Sequence, residues 1–337
     1  MTEPIRIELP TLYGMKTVNA YLFKHPEPVL VDCGEKSEES WTALEMALRN
    51  HGLEITDIKR IIITHAHVDH IGMAAKIAAV SGAKVWVNEY CYDWAVHTES
   101  TWDRRIGMLE KHFTRDLPPD GGQGDNFKQM MLTFFRAVMQ SWDPIPAEQV
   151  VTFPIDGQLH FGGCDWEVIY APGHTNMQTC FYQPDQKWLI GADMLLRITP
   201  TPVIEFSLED YQKRENGLAD MLRSFEKIRN MDISTVYPGH YEPFSNHQQI
   251  IEFQVNRIRV RIEETYELIK SGKNRFNELF NTLYVNRLSM PGMSMLRGYL
   301  DVLMEEDRIE ERTVDGYNGY FIKKTANFIS NNSYEKT

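Results

Sequence analysis

Residues 60–72 contain the feature that most constrains the fold of this chain, a short apolar run that ends abruptly in polar residues. Residues 60–64 read Arg-Ile-Ile-Ile-Thr, a β-branched pattern typical of a buried strand. Within the next six residues stand four potential metal ligands, which are His65, His67, Asp69 and His70. A lone His-x-His pair is more often a surface accident than a site. Four ligand groups at one strand end favour a metal site instead.

The spacing inside this motif indicates two cations rather than one. Because side chains alternate in direction along an extended segment, His65 and His67 can point both imidazoles at one cation. Asp69 and His70, one step further along, can turn toward a second cation about 3.5–4 Å away, the separation typical of two-metal hydrolytic sites. A single ion would leave one or two of the four groups without a role.

The sequence His-x-His-x-Asp-His after an apolar strand resembles the signature of the metallo-β-lactamase-fold hydrolases. The resemblance implies an α+β fold, an αββα sandwich, and it implies further ligands downstream. His174 stands in a Pro-Gly-His-Thr loop, Asp193 at the end of Leu-Ile-Gly-Ala-Asp, and His240 in Pro-Gly-His. Each of the three matches the family pattern at its position.

The resemblance also implies how the ligands divide between two metals. The first metal would be held by His65, His67 and His174, the second by Asp69, His70 and His240, and both would be bridged by Asp193. Seven nitrogen and oxygen ligands without sulfur suit zinc best, while iron or manganese would also accept them. A water shared by two such cations loses a proton near neutral pH and becomes the nucleophile, and Asp69 can orient it and accept its proton.

Asp32 is a further acidic residue that could support the metal motif, although it lies well before the motif in the sequence. Asp32 ends a predicted strand in an Asp-Cys-Gly turn that is similar to an Asp-x-Gly turn of the family. It either hydrogen-bonds the metal loop from behind or is a simple turn residue before Gly34. The sequence leaves both interpretations open.

The chain divides into a large and a small unit. Residues 1–245 are predicted to form the metallo-β-lactamase-fold catalytic domain, including a helix over 209–230. Within it, an aromatic-rich helical insertion at about residues 90–145 is predicted to wall the site, unless its aromatic residues only pack a small core of their own. Residues 118–122 (Pro-Pro-Asp-Gly-Gly) predict a break in that insertion.

After this unit, residues 246–326 show three helical segments followed by a β-hairpin, the outline of a winged helix, and 327–337 form a tail. Residues 246–324 contain twelve basic and twelve acidic side chains, whereas a nucleic-acid reader is usually basic. We therefore interpret this unit as a structural or dimer-forming cap that helps to wall the active site, which leaves a homodimer open as a partner state. The methionines of residues 290–295 are interpreted as adaptable packing.

Net charge, the N-terminal sequence and the cysteines indicate which partners and which cellular compartment to expect. With 35 basic and 47 acidic residues, the net charge of −12 disfavours nucleic acid and anionic membranes. The first residues show no signal-peptide pattern and no stretch is apolar enough to span a membrane, so we expect a cytoplasmic protein. The four cysteines are widely spaced and are predicted to be reduced thiols.

The resemblance narrows the reaction class as well. True metallo-β-lactamases have Cys where Asp193 stands, usually lack a ligand at the position of His70, and are exported. The chain is more similar to the glyoxalase II type, which predicts a dinuclear hydrolase of a thioester or activated ester of a small metabolite. The alternatives are a phosphodiesterase or ribonuclease, a lactonase, or a metal-sensing winged-helix regulator that binds DNA.

Overall fold

The structure of this protein is a computed structural model of the chain. It describes residues 3–12, 15–116, 123–198, 202, 204–207, 212–284 and 290–323, without the side chains of 113–115 and 123–128. The predicted break at 118–122 and the predicted tail at 327–337 lie outside the described residues.

A first sheet contains six strands in the spatial order of the sequence. Its strands are β1 Ile5–Pro10, β2 Thr17–Phe23, β3 Val29–Val31, β4 Arg60–Ile63, β5 Lys84–Asn88 and β6 Val150–Phe153. The strands β1, β2 and β3 pair antiparallel, whereas β3 to β6 pair parallel. The motif strand β4 is therefore central, with a strand on each side, and it is fully buried from Ile61 to Ile63.

A second sheet contains five strands in the order β11-β10-β9-β8-β7. Its strands are β7 Gly157–Phe161, β8 Cys164–Tyr170, β9 Thr179–Gln183, β10 Trp188–Ala192 and β11 Thr235–Pro238. The pair β10 and β11 is parallel and the other pairs are antiparallel. Because β10 and β11 are parallel, the residues that follow them lie at the same edge of this sheet.

The two sheets face each other across an aromatic core. Phe161 and Trp166 stack with ring centroids 4.9 Å apart, and Phe23 from the first sheet meets them edge-on at 5.2 and 5.8 Å. Such rings bury large apolar areas and prefer stacked or edge-to-face geometry. This core fixes the two sheets against each other, so that their strand ends keep a constant relative position.

Helices cover the outer faces of the sandwich. The helices α1 Glu38–Asn50, α2 Val68–Ile71 and α3 Ala74–Ser81 lie beside the first sheet, and Leu44 and Leu48 of α1 are fully buried. Ser37 caps α1, because its hydroxyl accepts a hydrogen bond from the Ser40 amide at 3.0 Å. The layers alternate as helix, sheet, sheet and helix, which confirms the predicted αββα sandwich.

The predicted helical insertion is present. It contains α4 Tyr92–Val96, α5 Thr98–Asp116 and α6 Gln123–Met139. Trp94, Trp102 and Trp142 form an aromatic cluster with ring centroids 5.2 to 6.3 Å apart. The insertion thus has an aromatic core, as one of the two interpretations stated, and its relation to the site is described below.

The helix predicted over 209–230 begins later than expected. Helix α7 spans Gly217–Arg229, and Asn216 caps it by accepting a hydrogen bond from the Ala219 amide at 3.2 Å. Before this cap, Phe206 and Arg214 pair as an isolated antiparallel bridge. The prediction was wrong for residues 212–216 because an Asn side chain that binds the backbone starts the helix at 217.

The C-terminal part follows the predicted order of three helices and a hairpin. Its elements are α8 His247–Lys270, α9 Phe276–Leu283, α10 Met290–Glu305, β12 Ile309–Val314 and β13 Tyr317–Ile322. The second sheet, α7 and these helices share one apolar cluster. Arg297 of α10 also forms a buried ion pair with Asp116 at the end of α5. The assignment as a winged helix stays a prediction.

Candidate metal centre

The seven predicted ligands lie at the ends of strands from both sheets. His65 and His67 follow β4 directly, and the chain then enters α2, which carries Asp69 and His70. The other three lie in the β8–β9 loop or directly after β10 and β11, and they are His174, Asp193 and His240. Strand ends of this kind are the usual position of binding residues in α/β sheets.

One group of ligands consists of three histidines. His67 Nδ1 lies 3.0 Å from His65 Nε2 and 2.9 Å from His174 Nε2. A hydrogen bond between neutral imidazoles can satisfy one such pair, because each ring has one donor and one acceptor nitrogen. Three ring nitrogens that converge on one point are a donor set that suits a cation such as zinc.

The second group combines a carboxylate with two histidines. His240 Nε2 lies 3.4 Å from Asp69 Oδ2, and His70 Nε2 lies 3.9 Å from Asp69 Oδ1. These ligand atoms all lie within 4.8 Å of one another. A third set of the same kind, formed by His65, His70 and Asp193, links the two groups.

Asp193 lies between the two groups. Its Oδ2 is 3.5 Å from His174 Nε2 and 3.2 Å from His240 Nε2, while its Oδ1 is 3.3 Å from His70 Nε2. Asp193 is 4% exposed, yet Asp193 Oδ1 and His70 Nε2 have no hydrogen-bond partner among the described residues. Buried polar atoms without partners are costly, and cations at these positions would satisfy both of them. The residues present therefore fit divalent metal binding.

Other residues hold the ligand rings in the orientation that a metal requires. His70 Nδ1 lies 2.8 Å from Asp32 Oδ2, and His240 Nδ1 donates to the Thr17 carbonyl at 2.6 Å. Asp32 Oδ1 also accepts the Thr64 amide at 2.9 Å. Bonds of this kind at Nδ1 leave Nε2 facing the cluster, where a metal can take the place of the Nε2 proton. Of the two interpretations of Asp32, the contact with the metal loop is the one present.

A glycine makes room for the central carboxylate. A Cβ added at Gly239 would overlap Asp193 Oδ1 and would lie 2.9 Å from the His70 ring. Real Cβ atoms essentially never approach other atoms so closely. The residue before His240 is therefore restricted to glycine by the position of Asp193.

Burial, repulsion between neighbouring histidines and attraction between histidines and carboxylates set the protonation states of the cluster. Burial, together with neighbouring histidines, lowers the pKa of His65 and His67 well below the ordinary value, so both rings are neutral. Burial would also lower the pKa of His240, but the carboxylates of Asp193 and Asp69 raise it to about 10. Burial opposes ionisation of Asp193, yet His240 and His70 hold its pKa well below the ordinary value.

A buried network supports the loop that carries His174. Thr175 Oγ1 donates to Glu205 Oε1 at 2.8 Å, and Arg105 of α5 pairs with Glu205 Oε2 and donates to the Ile204 carbonyl at 2.9 Å. The sequence did not predict this network, because it joins positions about 30 and 100 residues apart. Glu205 also lies in an irregular segment that no periodic pattern marks.

The remaining histidines lie outside the cluster. They are His25, His51, His97, His112, His160 and His247, and none of them is part of a candidate metal group of the described residues.

Within the ranges that the structure describes, no helix is long and apolar enough to cross a membrane. The four cysteines are free, and burial raises the pKa of Cys91 and Cys180.

A comparison with protein families agrees with this geometry. A family model described as the metallo-beta-lactamase superfamily matches residues 13–240 of the 337. The matched region starts before β2 and ends at His240, so that it includes all seven predicted ligands and the helical insertion.

Individual proteins are similar over different lengths. A probable metallo-hydrolase of Bacillus subtilis, YqjP, is 26% identical over 91% of this chain and 94% of its own length. An atrochrysone carboxyl ACP thioesterase of Aspergillus fumigatus is 26% identical over 34% of this chain and 32% of its own length. The first similarity therefore extends over nearly the whole chain, whereas the second covers about a third of it.

A solved structure has the same fold. The metallo-beta-lactamase family protein TTHA1429 from Thermus thermophilus aligns over 95% of this chain and 98% of its own, with a TM-score of 0.77 and 23% identity. The alignment includes the C-terminal part as well as the sandwich.

Proposed function

This chain belongs to the metallo-β-lactamase superfamily, and from that premise we propose that it is a two-metal hydrolase acting on a thioester or activated ester of a small metabolite. The family and the His/Asp cluster support the broader class of metal-dependent hydrolase. The observation that carries the two-metal proposal is the position of Asp193. One of its carboxylate oxygens lies within 3.5 Å of both His174 Nε2 and His240 Nε2, and these two histidines belong to different ligand groups.

The two ligand groups would hold one cation each, with Asp193 shared. Two divalent cations held there would lower the pKa of a bound water, so that a hydroxide nucleophile would be available near neutral pH, and would polarise the scissile carbonyl. The cluster contains no cysteine among its ligands. Nitrogen and oxygen donors of this kind favour zinc, with iron or manganese as alternatives.

The residues of the chain supply position and proton transfer. Asp69 lines a cavity beside the cluster, and its side chain is 14% exposed, so it can contact both the nucleophile and the substrate. Its carboxylate would orient the attacking water and accept a proton from it. Asp32 and the Thr17 carbonyl would keep the rings of His70 and His240 fixed while this happens.

A thioester or activated ester is favoured over a phosphodiester by charge. Among the described residues that line the cavity, the only cationic side chain apart from histidine is Arg105, and Glu205 already pairs with it. A nucleic-acid backbone would find no other guanidinium or ammonium among these described lining residues. The partial similarity to a thioesterase points in the same direction.

The test combines metal content with hydrolysis. Purified protein would be analysed by mass spectrometry for metals and assayed with an S-acyl thioester, an acyl lactone and a bis-aryl phosphodiester, for wild type, Asp193→Ala and Asp165→Ala. Asp165 is an exposed aspartate of β8 and serves as the matched control. We expect about two metals per chain in wild type and in Asp165→Ala, with thioester hydrolysis fastest. Asp193→Ala should lose metal and activity together.

The alternatives are distinct outcomes of the same experiment. Preferential cleavage of the phosphodiester or the lactone would replace the thioester assignment within the same mechanism. One metal or none after reconstitution, with no hydrolysis, would contradict the two-metal proposal. A salt-dependent gel shift with duplex DNA would then favour the regulator.

A further inference from the structure

A cavity of about 580 Å³ opens directly beside the metal-ligand cluster. Part of its lining, which we call the ligand end, consists of His67, Asp69, His174, Asp193 and His240. A volume of this size is within the range of sites for small-molecule ligands. The cavity is therefore continuous with the centre at which the proposed reaction takes place.

The remaining lining of this cavity is mostly apolar, and we call it the apolar end. Three parts of the chain that are distant in sequence form it: the insertion, residues 204–205 before α7, and α10. Its walls include Trp94, Trp102, Leu109, Phe135, Val138 and Met293. Residues Met290, Pro291 and Met293 of α10 reach it, so the methionine run predicted as packing also forms part of a cavity wall.

The described residues that line the apolar end include no unpaired positive charge. Arg105, the only arginine or lysine among the described lining residues, has its guanidinium against Glu205, against the Ile204 carbonyl and over the ring of Trp94 at 5.5 Å. Its side chain is 8% exposed. An anionic substrate group would lose its hydration there without gaining an ion pair, which is unfavourable. An apolar group would gain by leaving water.

From these contacts we infer that the substrate carries an uncharged apolar acyl chain of medium length, which lies in the apolar end while its thioester or ester carbonyl meets Asp69 and the metal ligands. The inference rests on the proposed function, because it names the substrate class of the same site. Val138 of α6 and Met293 of α10 set the length of chain that fits. Val138 is 7% exposed and Met293 is 2% exposed, so both are packed in the wall.

The test is a chain-length series of uncharged S-acyl N-acetylcysteamine thioesters from acetyl to dodecanoyl. Because each buried methylene contributes a roughly constant free energy, kcat/KM should rise about fourfold per added methylene until the cavity is full. The thioester of an acyl chain that ends in a carboxylate should be at least about tenfold slower than its uncharged counterpart of equal length.

A pair of matched variants locates the effect. Val138→Phe fills the apolar end, and we expect the preferred chain to become shorter. Val260→Phe makes the same change at a position of α8 that is 57% exposed, and it should leave the series unchanged. Overpacking by Val138→Phe can destabilise the fold. Met293→Ala, which enlarges the same wall, is therefore measured in parallel and should shift the preference to longer chains.

A binding measurement provides a readout that does not depend on hydrolysis. Bromoalkanols of increasing length bring bromine, a contact quencher, near Trp94, Trp102 and Trp142 of metal-free protein. Quenching that strengthens with chain length, and weakens in Val138→Phe, is the expected result. Hydrolysis with a flat chain-length profile and no length-dependent quenching would overturn the inference and leave the two-metal hydrolase intact. Length-dependent quenching without metal or hydrolysis would instead contradict the proposed function.

Discussion

The ligand end of the cavity and its apolar end are held in place by different forces. At the ligand end, short hydrogen bonds fix each ring, as at His70 with Asp32 and at His240 with the Thr17 carbonyl. At the apolar end, position depends on packing among Trp94, Trp102 and other side chains of the insertion. Directional bonds specify an angle, whereas apolar packing mainly specifies shape and volume.

The ligand end and the apolar end therefore suit different roles, catalysis and substrate selection. A fixed set of donors suits a reaction that requires a precise geometry, since small displacements of catalytic groups reduce rates strongly. A single substitution can change the shape of a wall of aromatic and methionine side chains, and the altered cavity can still bind a related ligand. We therefore expect variants of the ligand end to lose metal and turnover, and variants of the apolar end to change substrate preference.

The largest expected effect comes from Gly239→Ala. The new Cβ would overlap Asp193 Oδ1, so the central carboxylate must move out of the position between the two ligand groups. We expect a loss of bound metal and a fall in kcat/KM on the order of 10²–10³-fold. Gly107→Ala is the matched control, because a Cβ there meets nothing within 4 Å. Full metal content in Gly239→Ala would show that Asp193 does not bridge.

A comparable effect, on the free energy of unfolding rather than on turnover, is expected for Arg297→Met. Arg297 and Asp116 are 6% exposed each, and their ion pair joins α10 to α5, the two helices that carry walls of the apolar end. Removing one partner of a buried pair leaves an uncompensated charge, which costs about 3–5 kcal/mol. Denaturant unfolding should detect this loss.

The control for that variant is an exposed pair. Arg308→Met breaks the contact of Arg308 with Glu263, whose side chain is 60% exposed, and should cost at most about 1 kcal/mol.

At temperatures where Arg297→Met is still folded, we expect unchanged metal content and a raised KM for long acyl chains. Loss of metal in this variant would mean that the two ends are not separable.

A smaller effect is expected for Asp32→Asn. Asp32 accepts hydrogen bonds from the Thr64 amide and hydroxyl while facing His70 Nδ1, and an amide nitrogen cannot accept. Changes to such supporting groups reduce metal affinity or activity about 10–100-fold. Titration with a chelator would measure the affinity, with the exposed Asp165→Asn as control. Equal affinities in the two variants would contradict an orienting role.

The smallest effect concerns Glu215, whose amide donates a hydrogen bond to the Glu205 carbonyl at 2.9 Å. Burial, opposed by a hydrogen bond to Asn176, raises the pKa of Glu215 to about 7. A carboxyl whose folded-state pKa is raised binds its proton more tightly when folded, so its contribution to stability falls as pH rises from about 4.5 to 7. Glu215→Gln removes this dependence. Relative to wild type, its melting temperature should increase by about 1–3 °C between acidic and neutral pH, as measured by calorimetry.

Local patterns predicted much of what the structure contains. The strand Arg60–Ile63 and the ligands after it are recognisable because β-branched residues and His/Asp residues stand in one short segment. The helix predicted from residue 209 was wrong in its first part, since an apolar period does not reveal that Asn216 binds the backbone and starts the helix later.

The sequence by itself determined the reaction class that can be proposed here, because ligand type and spacing within residues 65–70 depend only on neighbours in the chain. The tertiary structure decided what surrounds that chemistry. The bond between Thr175 and Glu205 and the ion pair between Arg105 and Glu205 join residues that no local pattern connects. The apolar end likewise combines side chains of α5, α6 and α10, and its volume depends on how these helices pack.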